Sequence, residues 1–355
     1  MKPMVIAPVF LPILLLAFAF SCQSIETTLV TATPFRPPLI TATPFPTIPK
    51  SIPATSTPTN SPTDAATPSI LPTVTQTQTV VPFSNNRLAV IAKDIRTTDT
   101  NIHPAVYLMD ADGSFKKLLL SGHVSADSVS WSSDGNKLVF SAFTLEFERF
   151  DIYTINADGT DLTRFDLQIP GINSYTEPSW SPNGRHIVFS QGRTIQIMDS
   201  LGEYLGMLTT GNAPSWSPDG KSIVFVRRHE MNLMGDIFII DLESKEERQL
   251  TSDLYTNRPI WSPDGKKIAF YGYDGTGEKS GVFYMNADGT NLIQLIDYDA
   301  YPSWTPDGNH LLIAPNKGLD KHKLVMIRIS DSKRFVFHNL SKNYIYFYGE
   351  IQPIK

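Results

Sequence analysis

A short motif built around tryptophan recurs five times and limits what this chain can fold into. Each copy has a tryptophan, a stretch close to Ser-Pro-Asp-Gly, and a run rich in β-branched and aromatic residues. The copies are WSSDGNKLVF at 131, WSPNGRHIVF at 180, WSPDGKSIVF at 216, WSPDGKKIAF at 261 and WTPDGNHLLI at 304. The tryptophans are 49, 36, 45 and 43 residues apart, close to the ~40–45-residue period of four-stranded propeller blades. The period predicts an all-β chain of repeated antiparallel units.

The motif itself predicts a β-hairpin. Ser, Pro, Asp and Gly in this order suit a type I turn, because Ser bonds the turn backbone, Pro pre-sets φ and Gly takes the left-handed conformation. Two copies depart from the pattern, with Ser133 in the place of Pro and Asn183 in the place of Asp, and a turn tolerates both changes. We expect the tryptophans to fill the space between neighbouring sheets.

A second repeated motif, NADGT at 156–160 and 286–290, predicts another hairpin in the same unit. The related sequence DADG at 110–113 resembles the start of a calcium-binding loop. An EF-hand needs further ligands and a Glu at its twelfth position, and these do not follow. Asp-box repeats of sialidases also place Asp-Gly turns on propellers, but there the tryptophan follows the turn. We therefore predict no metal site and no cofactor.

Together, PSWSPDGKxIxF and the following MNADGT resemble the TolB-type, or WD40-like (PD40), β-propeller repeat. The resemblance covers about residues 83–355 and implies a propeller related to those of prolyl oligopeptidase-like peptidases. In TolB the propeller docks to a peptidoglycan-associated lipoprotein. The N-terminal α/β domain of TolB has no counterpart in this sequence, so the resemblance implies the fold more strongly than the role.

The ends of the repeat region predict a six-bladed propeller of four-stranded antiparallel blades. Three strand patterns at 87–93, 105–110 and 116–120 match the second to fourth strands of a unit that lacks its first strand. The pattern NYIYFYGEI at 343–351 is one strand too many for the last unit. We expect it to become the innermost strand of the first blade, so that no sheet edge is left open at the seam.

The first 22 residues have the features of an export signal. Lys2 precedes an apolar run at 5–20, and AFSC at 19–22 resembles the lipobox of bacterial lipoproteins. We expect Cys22 to be lipidated and to anchor the protein to a membrane, on the cell surface or in the periplasm. A plain secretory signal with a chance cysteine is the alternative. Cys22 is the one cysteine of the chain, which excludes an internal disulfide.

Residues 23–82 predict a disordered Thr/Pro-rich linker, because these 60 positions hold 16 Thr and 12 Pro and lack the apolar period of a core. It can serve as a spacer between the anchor and a propeller at 83–355. A net charge of −5 gives no basic surface for phosphates, so we expect no nucleic-acid partner. We expect a monomer.

We place the candidate binding site on the face opposite the repeated hairpins, where variable loops enter each innermost strand. Five residues before these strands are predicted to line the channel mouth: Asp127, Glu177, Asn212, Arg258 and Tyr301. The most charged outer loop adds Arg227, Arg228, His229 and Glu230. A rim of mixed charge with Tyr and Arg suits a peptide or glycan better than a lipid.

No catalytic residues are predicted. The chain lacks a G-x-S-x-G nucleophile elbow, and its seven histidines form no metal-binding spacing. The favoured hypothesis is a non-enzymatic binding module for an envelope protein, peptide or glycan. Two alternatives stay open: a propeller enzyme acting on a glycan or peptide through paired carboxylates, and a structural spacer.

Overall fold

The structure is a computed structural model, and it confirms an all-β fold of four-stranded antiparallel units. It describes residues 87–94, 104–110, 116–119, 124–144, 146–172, 174–229, 234–252, 254–274, 280–315, 323–336 and 344–353. These residues contain 24 strands and no helix. The export signal with Cys22, the Thr/Pro-rich linker and Glu230 lie outside them.

The strands form groups of four that follow the sequence repeat. The first group pairs β1 (Arg87–Asp94), β2 (Ala105–Asp110) and β3 (Lys116–Leu118) with β24 (Tyr344–Ile351). The second comprises β4 (Val124–Trp131), β5 (Lys137–Thr144), β6 (Arg149–Asn156) and β7 (Thr163–Arg164). The third comprises β8 (Tyr175–Trp180), β9 (His186–Gln191), β10 (Thr194–Asp199) and β11 (Tyr204–Thr210).

The remaining groups repeat the same order. The fourth has β12 (Asn212–Trp216), β13 (Ser222–Arg228), β14 (Gly235–Asp241) and β15 (Glu247–Gln249). The fifth has β16 (Tyr255–Trp261), β17 (Lys267–Tyr273), β18 (Ser280–Asn286) and β19 (Ile293–Ile296). The sixth has β20 (Pro302–Trp304), β21 (His310–Ile313), β22 (Val325–Arg328) and β23 (Arg334–Val336). A single residue pair, Gly235 with Thr256, joins the fourth and fifth groups into one eight-stranded sheet.

Hydrogen bonds within the turns explain why the repeated motif uses similar residues in each of its copies. In the third copy, Ser217 Oγ donates a hydrogen bond of 2.6 Å to Asp219 Oδ1, and the Lys221 amide donates to the same oxygen at 3.0 Å. Gly220 has a φ of 71°, as the type I turn with a left-handed end requires. Asn183 replaces Asp without loss, because its Oδ1 accepts the same two hydrogen bonds from Ser181 and Arg185.

The core lies between successive groups. Six clusters of buried side chains each combine residues of two neighbouring groups. Each tryptophan packs between its own group and the preceding one, as Trp131 does beside Leu108 and Trp180 beside Val139. This confirms the predicted role of the tryptophans. The sixth group packs on the first through Leu312 and Tyr346.

The last strand, β24, lies against β1 in antiparallel register from Leu88 with Ile351 to Asp94 with Tyr344. Ile351 occupies the place that tryptophan has in the other groups. The amide after it, Gln352 N, donates to Arg87 O at 2.9 Å, as the amide after Trp261, Ser262 N, donates to Lys267 O at 2.8 Å. The first group therefore receives its inner strand from the opposite end of the repeat region.

We expect deletion of residues 344–355 to abolish cooperative folding. The deletion removes Tyr346 and Ile351, which are 0% and 2% exposed, and leaves one edge of β1 unpaired. Loss of a large core side chain costs about 2–5 kcal/mol, which is comparable with the whole stability of a domain. Urea unfolding of the truncated chain, followed by circular dichroism, checks this. A soluble truncation with an unchanged sigmoidal transition would contradict it.

Candidate functional site

A cavity of about 430 Å³ lies among the innermost strands of all six groups. Most of its wall is serine, proline and tryptophan, with a small number of ionisable side chains. The ionisable lining residues are Glu177, Arg258, Tyr348 and Glu350. An apolar wall that carries few, defined polar groups is typical of a ligand-binding cavity.

The cavity extends along the inner strands to the repeated turns. Ser133, Pro263 and Pro306 come from the Trp-containing turns, and Pro353 follows β24 in the same way. The sequence pattern predicts only a scaffolding role for these turns, with the binding site on the opposite face. In the structure, the turns also contribute to the wall of the cavity.

Three inner strands bulge at equivalent positions beside this cavity. Glu177, Ala213 and Arg258 each have a positive φ, of 55°, 52° and 50°, and each is followed by a proline. The strand register shifts across each of these residues. A non-glycine residue at positive φ costs about 1–3 kcal/mol, and such conformations cluster at functional sites. A bulge re-aims the side chain of the residue that it contains.

Glu177 links two neighbouring groups. Its Oε2 accepts hydrogen bonds of 2.8 Å from Ser190 Oγ and 2.8 Å from the Ala213 amide. The Ala213 amide also contacts Ser190 Oγ at 3.0 Å. The carboxylate thus ties the bulge of β8 to the bulge of β12, and its position in the cavity wall is fixed.

Arg258 reaches across from the fifth group to the second. Its Nη2 donates to Asp127 Oδ1 at 2.7 Å and to Asp127 O at 3.0 Å, and its guanidinium lies 4.6 Å from the ring centre of Tyr301. Burial disfavours the charge on Arg258, but Asp127 and Glu177 outweigh this effect and raise its pKa further. The structure thus brings together Asp127, Glu177, Arg258 and Tyr301.

Asn212 is placed differently from these four residues. Its side chain is 2% exposed and its Nδ2 donates to Gly192 O, away from the cavity wall. The neighbouring Ala213 holds the bulge position and lines the cavity. Ala213 is the residue equivalent to Glu177 and Arg258, because all three stand directly before a proline in the same strand position, whereas Asn212 stands one residue earlier.

The residues predicted on the outer loop form a separate region, and two of them, Arg227 and Arg228, lie at the end of the strand β13 instead of on a loop. Arg227 pairs with Glu247 at 2.7 Å and lies 4.5 Å from the ring centre of Phe238. His229 Nε2 is 3.5 Å from Asp236 Oδ2. The nitrogen Nε of Arg228 is buried without a hydrogen-bond partner among the described residues. None of these three side chains lines the cavity described above, and their role in binding stays a prediction.

Two lining residues, Tyr348 and Glu350, were missed by the sequence analysis. Burial raises the pKa of Tyr348, and the nearby Glu350 carboxyl raises it further. Burial also raises the pKa of Glu350 to about 8. Both residues lie on β24 at alternate positions, as expected of side chains on one face of a strand. Once β24 was predicted as an inner strand, this alternation could have been used to predict both residues as part of the cavity wall.

The described residues contain no group of three or more His, Cys, Asp or Glu side chains that could hold a metal ion. Within the same part of the chain, the chemistry that the cavity offers is that of two carboxyl groups, one guanidinium and one phenol. These groups can form ion pairs and hydrogen bonds with a ligand. A carboxyl group that stays protonated near neutral pH can also act as a proton donor.

We expect replacement of Arg258 by Ala to lower the free energy of unfolding by about 3 kcal/mol, because it leaves the Asp127 and Glu177 carboxylates without their buried cation. Arg227→Ala is the matched control, since it breaks a partly exposed ion pair with Glu247 and should cost less than about 1 kcal/mol. Urea unfolding of both variants checks this. Equal losses would show that the Arg258 cluster is not a structural centre.

The comparisons with known proteins agree with this architecture. Residues 201–343 match the family model described as PD40, the TolB beta propeller domain. The structure of TolB from Acinetobacter baumannii is 21% identical, with a TM-score of 0.64 over 77% of this chain and 68% of that chain. Putative TolB from Agrobacterium tumefaciens is 17% identical, with a TM-score of 0.54 over 76% of this chain and 100% of that chain.

A third solved structure, a nidogen/laminin complex, is 11% identical, with a TM-score of 0.58 over 76% of this chain and 98% of that chain. No curated protein matches this sequence. Likenesses at these identities show the fold. Taken with the match over residues 201–343, they show that the described residues share the fold of TolB-type (PD40) β-propellers.

Proposed function

We propose that this protein is an exported binding module whose central cavity receives a segment of an envelope protein, a peptide or a glycan. The observation that carries the proposal is the cavity itself, with apolar walls and four ionisable side chains at defined positions. Ligand sites in proteins combine these two features. The network of Glu177, Arg258 and Asp127 supports a rigid site, which loses little entropy when a ligand binds.

The proposed architecture is a closed ring of six blades. Two observations support it: the pairing of β24 with β1 and the core cluster that joins the sixth group to the first. A ring closed by its own terminal strand has no free edge at the seam. The inner strands then surround a channel, which is the usual position of a binding site in such a scaffold.

The proposed location is the cell envelope, with lipidated Cys22 as the anchor and the Thr/Pro-rich linker as the spacer. The lipobox-like AFSC at 19–22 and the composition of residues 23–82 support this. A propeller held away from a membrane on a spacer can meet partners at a distance. Among the described residues, no helix has the length and apolar character needed to cross a membrane.

The comparisons support a role in protein interaction. One structure of similar fold is described as a nidogen/laminin complex, an assembly of two proteins. The TolB likeness places the fold among propellers of bacterial proteins.

One observation favours a second candidate function, cleavage of a glycan. Glu177 and Glu350 line the same cavity, and burial raises the pKa of Glu350 to about 8. A protonated carboxyl beside a second carboxyl is the arrangement that glycoside hydrolysis uses. The non-enzymatic role is preferred, because Glu177 is engaged by Ser190 and the Ala213 amide.

Filling the cavity tests the proposed function. Ser215 is a partly exposed lining residue on β12, and Ser215→Trp places a large side chain in the cavity. Ser244→Trp, in an exposed turn, is the matched control. We expect the full-length wild-type chain and the control to capture the same partner from envelope extract, and Ser215→Trp to lose at least about tenfold in affinity.

Thermal melting of both variants must show the wild-type transition, so that a loss of capture reports on the cavity. Capture that is equal for Ser215→Trp and Ser244→Trp would contradict the proposal. Cleavage of a glycan panel by wild-type protein, lost in Glu350→Gln, would favour the second candidate.

A further inference from the structure

We propose that the cavity recognises a lysine side chain of the partner, with its ammonium group placed at the carboxyl of Glu350. This inference deepens the proposed function and rests on it. It names the chemical group that the cavity selects, and it commits to a protein or peptide partner over a glycan.

Glu350 is the first reason. It lies on the inner strand β24 and lines the cavity. Its Oε2 is buried and has no hydrogen-bond partner among the described residues. A buried carboxyl oxygen without a partner costs about 1–3 kcal/mol. A positive charge placed beside this carboxyl lowers the cost of ionising it in its buried position.

The charges of the cavity are the second reason. Its described lining holds two carboxyl groups, Glu177 and Glu350, and one cation, Arg258. That cation is already paired with Asp127 and packed on Tyr301. In the described part of the chain, Glu350 forms no ion pair. Once Glu350 is ionised, the cavity therefore favours a cationic ligand and disfavours an anionic one.

The walls are the third reason. Prolines and tryptophans, including Pro259, Trp261, Trp304 and Pro306, line the same space. The four methylene groups of lysine pack on apolar surface while its ammonium group stays with a charged partner. Indole rings add a favourable interaction with a nearby cation.

Lysine fits better than arginine, for a geometric reason. A guanidinium binds a carboxylate best through both oxygens at once. Because Glu350 Oε2 is enclosed, a guanidinium in the cavity cannot bind the carboxyl through both oxygens. A compact ammonium needs only one of them.

Binding is expected to release a proton. Burial holds the pKa of Glu350 at about 8, so its carboxyl is mostly protonated at neutral pH. A bound ammonium stabilises the ionised form and lowers that pKa. Four other charged or titratable groups surround the cavity, namely Tyr348, Arg258, Asp127 and Glu177. Arg258 keeps its charge, because its own pKa is raised.

The sign of the pH dependence follows. Below pH 8 each lysine bound must displace a proton from Glu350, so affinity for lysine should rise as the pH rises towards 8. Above about pH 10 the ammonium of lysine itself loses its proton, and affinity should fall again.

Two short peptides test the inference on the full chain. One is acetyl-Gly-Lys-Gly-amide, and the other carries norleucine, which keeps the four-carbon stem without the ammonium group. Binding is followed by the fluorescence of the lining tryptophans, at concentrations up to about 10 mM. We expect the lysine peptide to bind at least about tenfold more tightly than the norleucine peptide at about pH 7.5.

Glu350→Gln should reduce lysine affinity to the level of norleucine and leave norleucine affinity unchanged. Glu243→Gln, in an exposed turn, is the matched control and should change neither. Calorimetry in two buffers of different ionisation enthalpy should show the release of about one proton per lysine peptide at about pH 7, and none for Glu350→Gln.

Three results would overturn the inference: no binding of the lysine peptide, equal binding of the two peptides, or a lysine preference that survives Glu350→Gln. The Ser215→Trp experiment distinguishes failure of the lysine proposal from failure of the proposed binding function. If the filled cavity still loses the envelope partner, the cavity binds a partner that is not recognised through lysine. If filling has no effect, the cavity is not the binding site.

Discussion

The antiparallel pairing of β24 with β1 is the interaction on which the rest of the structure depends. It joins residues from the two ends of the repeat region and gives the first group its inner strand. The same strand supplies Tyr346 and Ile351 to the core and Tyr348 and Glu350 to the cavity wall. Side chains alternate between the two faces of a strand, and the register shift in β24 between Tyr346 and Tyr348 gives these two residues different surroundings. One pairing therefore contributes to both the core and the candidate site.

The chemical character of the cavity depends on which of its ionisable side chains have hydrogen-bond or ion-pair partners within the protein and which do not. Arg258, Asp127 and Glu177 form a network in which each charge has a partner or several hydrogen bonds. Glu350 stands apart from this network, with one oxygen buried and unpartnered in the described part of the chain. A satisfied cluster stiffens the scaffold, while an unsatisfied group in a cavity is a place where a ligand gains binding energy.

The sequence was sufficient for the repeated parts of the fold. The turn chemistry of WSPDG and the period-two pattern at 343–351 are local signals, and they predicted the hairpins and an extra strand near the C-terminus. The site was harder to predict. The bulges at Glu177 and Arg258 place a residue at positive φ before a proline, which runs against local preference and depends on the surrounding strands. The choice of Ala213 over Asn212 was available from the sequence, because Ala213 precedes Pro214 as Glu177 precedes Pro178.

Glu350 shows a different limit of sequence reasoning. Its alternation with Tyr348 could be read from the sequence, but its isolation from every described cation depends on packing between distant groups. The pKa of about 8 follows from that burial, and no local pattern encodes it. Sequence motifs therefore indicate where the hairpin turns lie. The chemistry of the cavity instead depends on which strands, distant in sequence, pack around it.

Amide hydrogen exchange of the full chain, with and without its captured partner, tests the central claim most directly. The account predicts that binding slows exchange at the amides of the inner strands and turns that line the cavity, with no change at Arg227, near the end of β13, or at His229, which follows that strand. Protection confined to those outer positions would contradict the account, because it would place the binding surface outside the cavity.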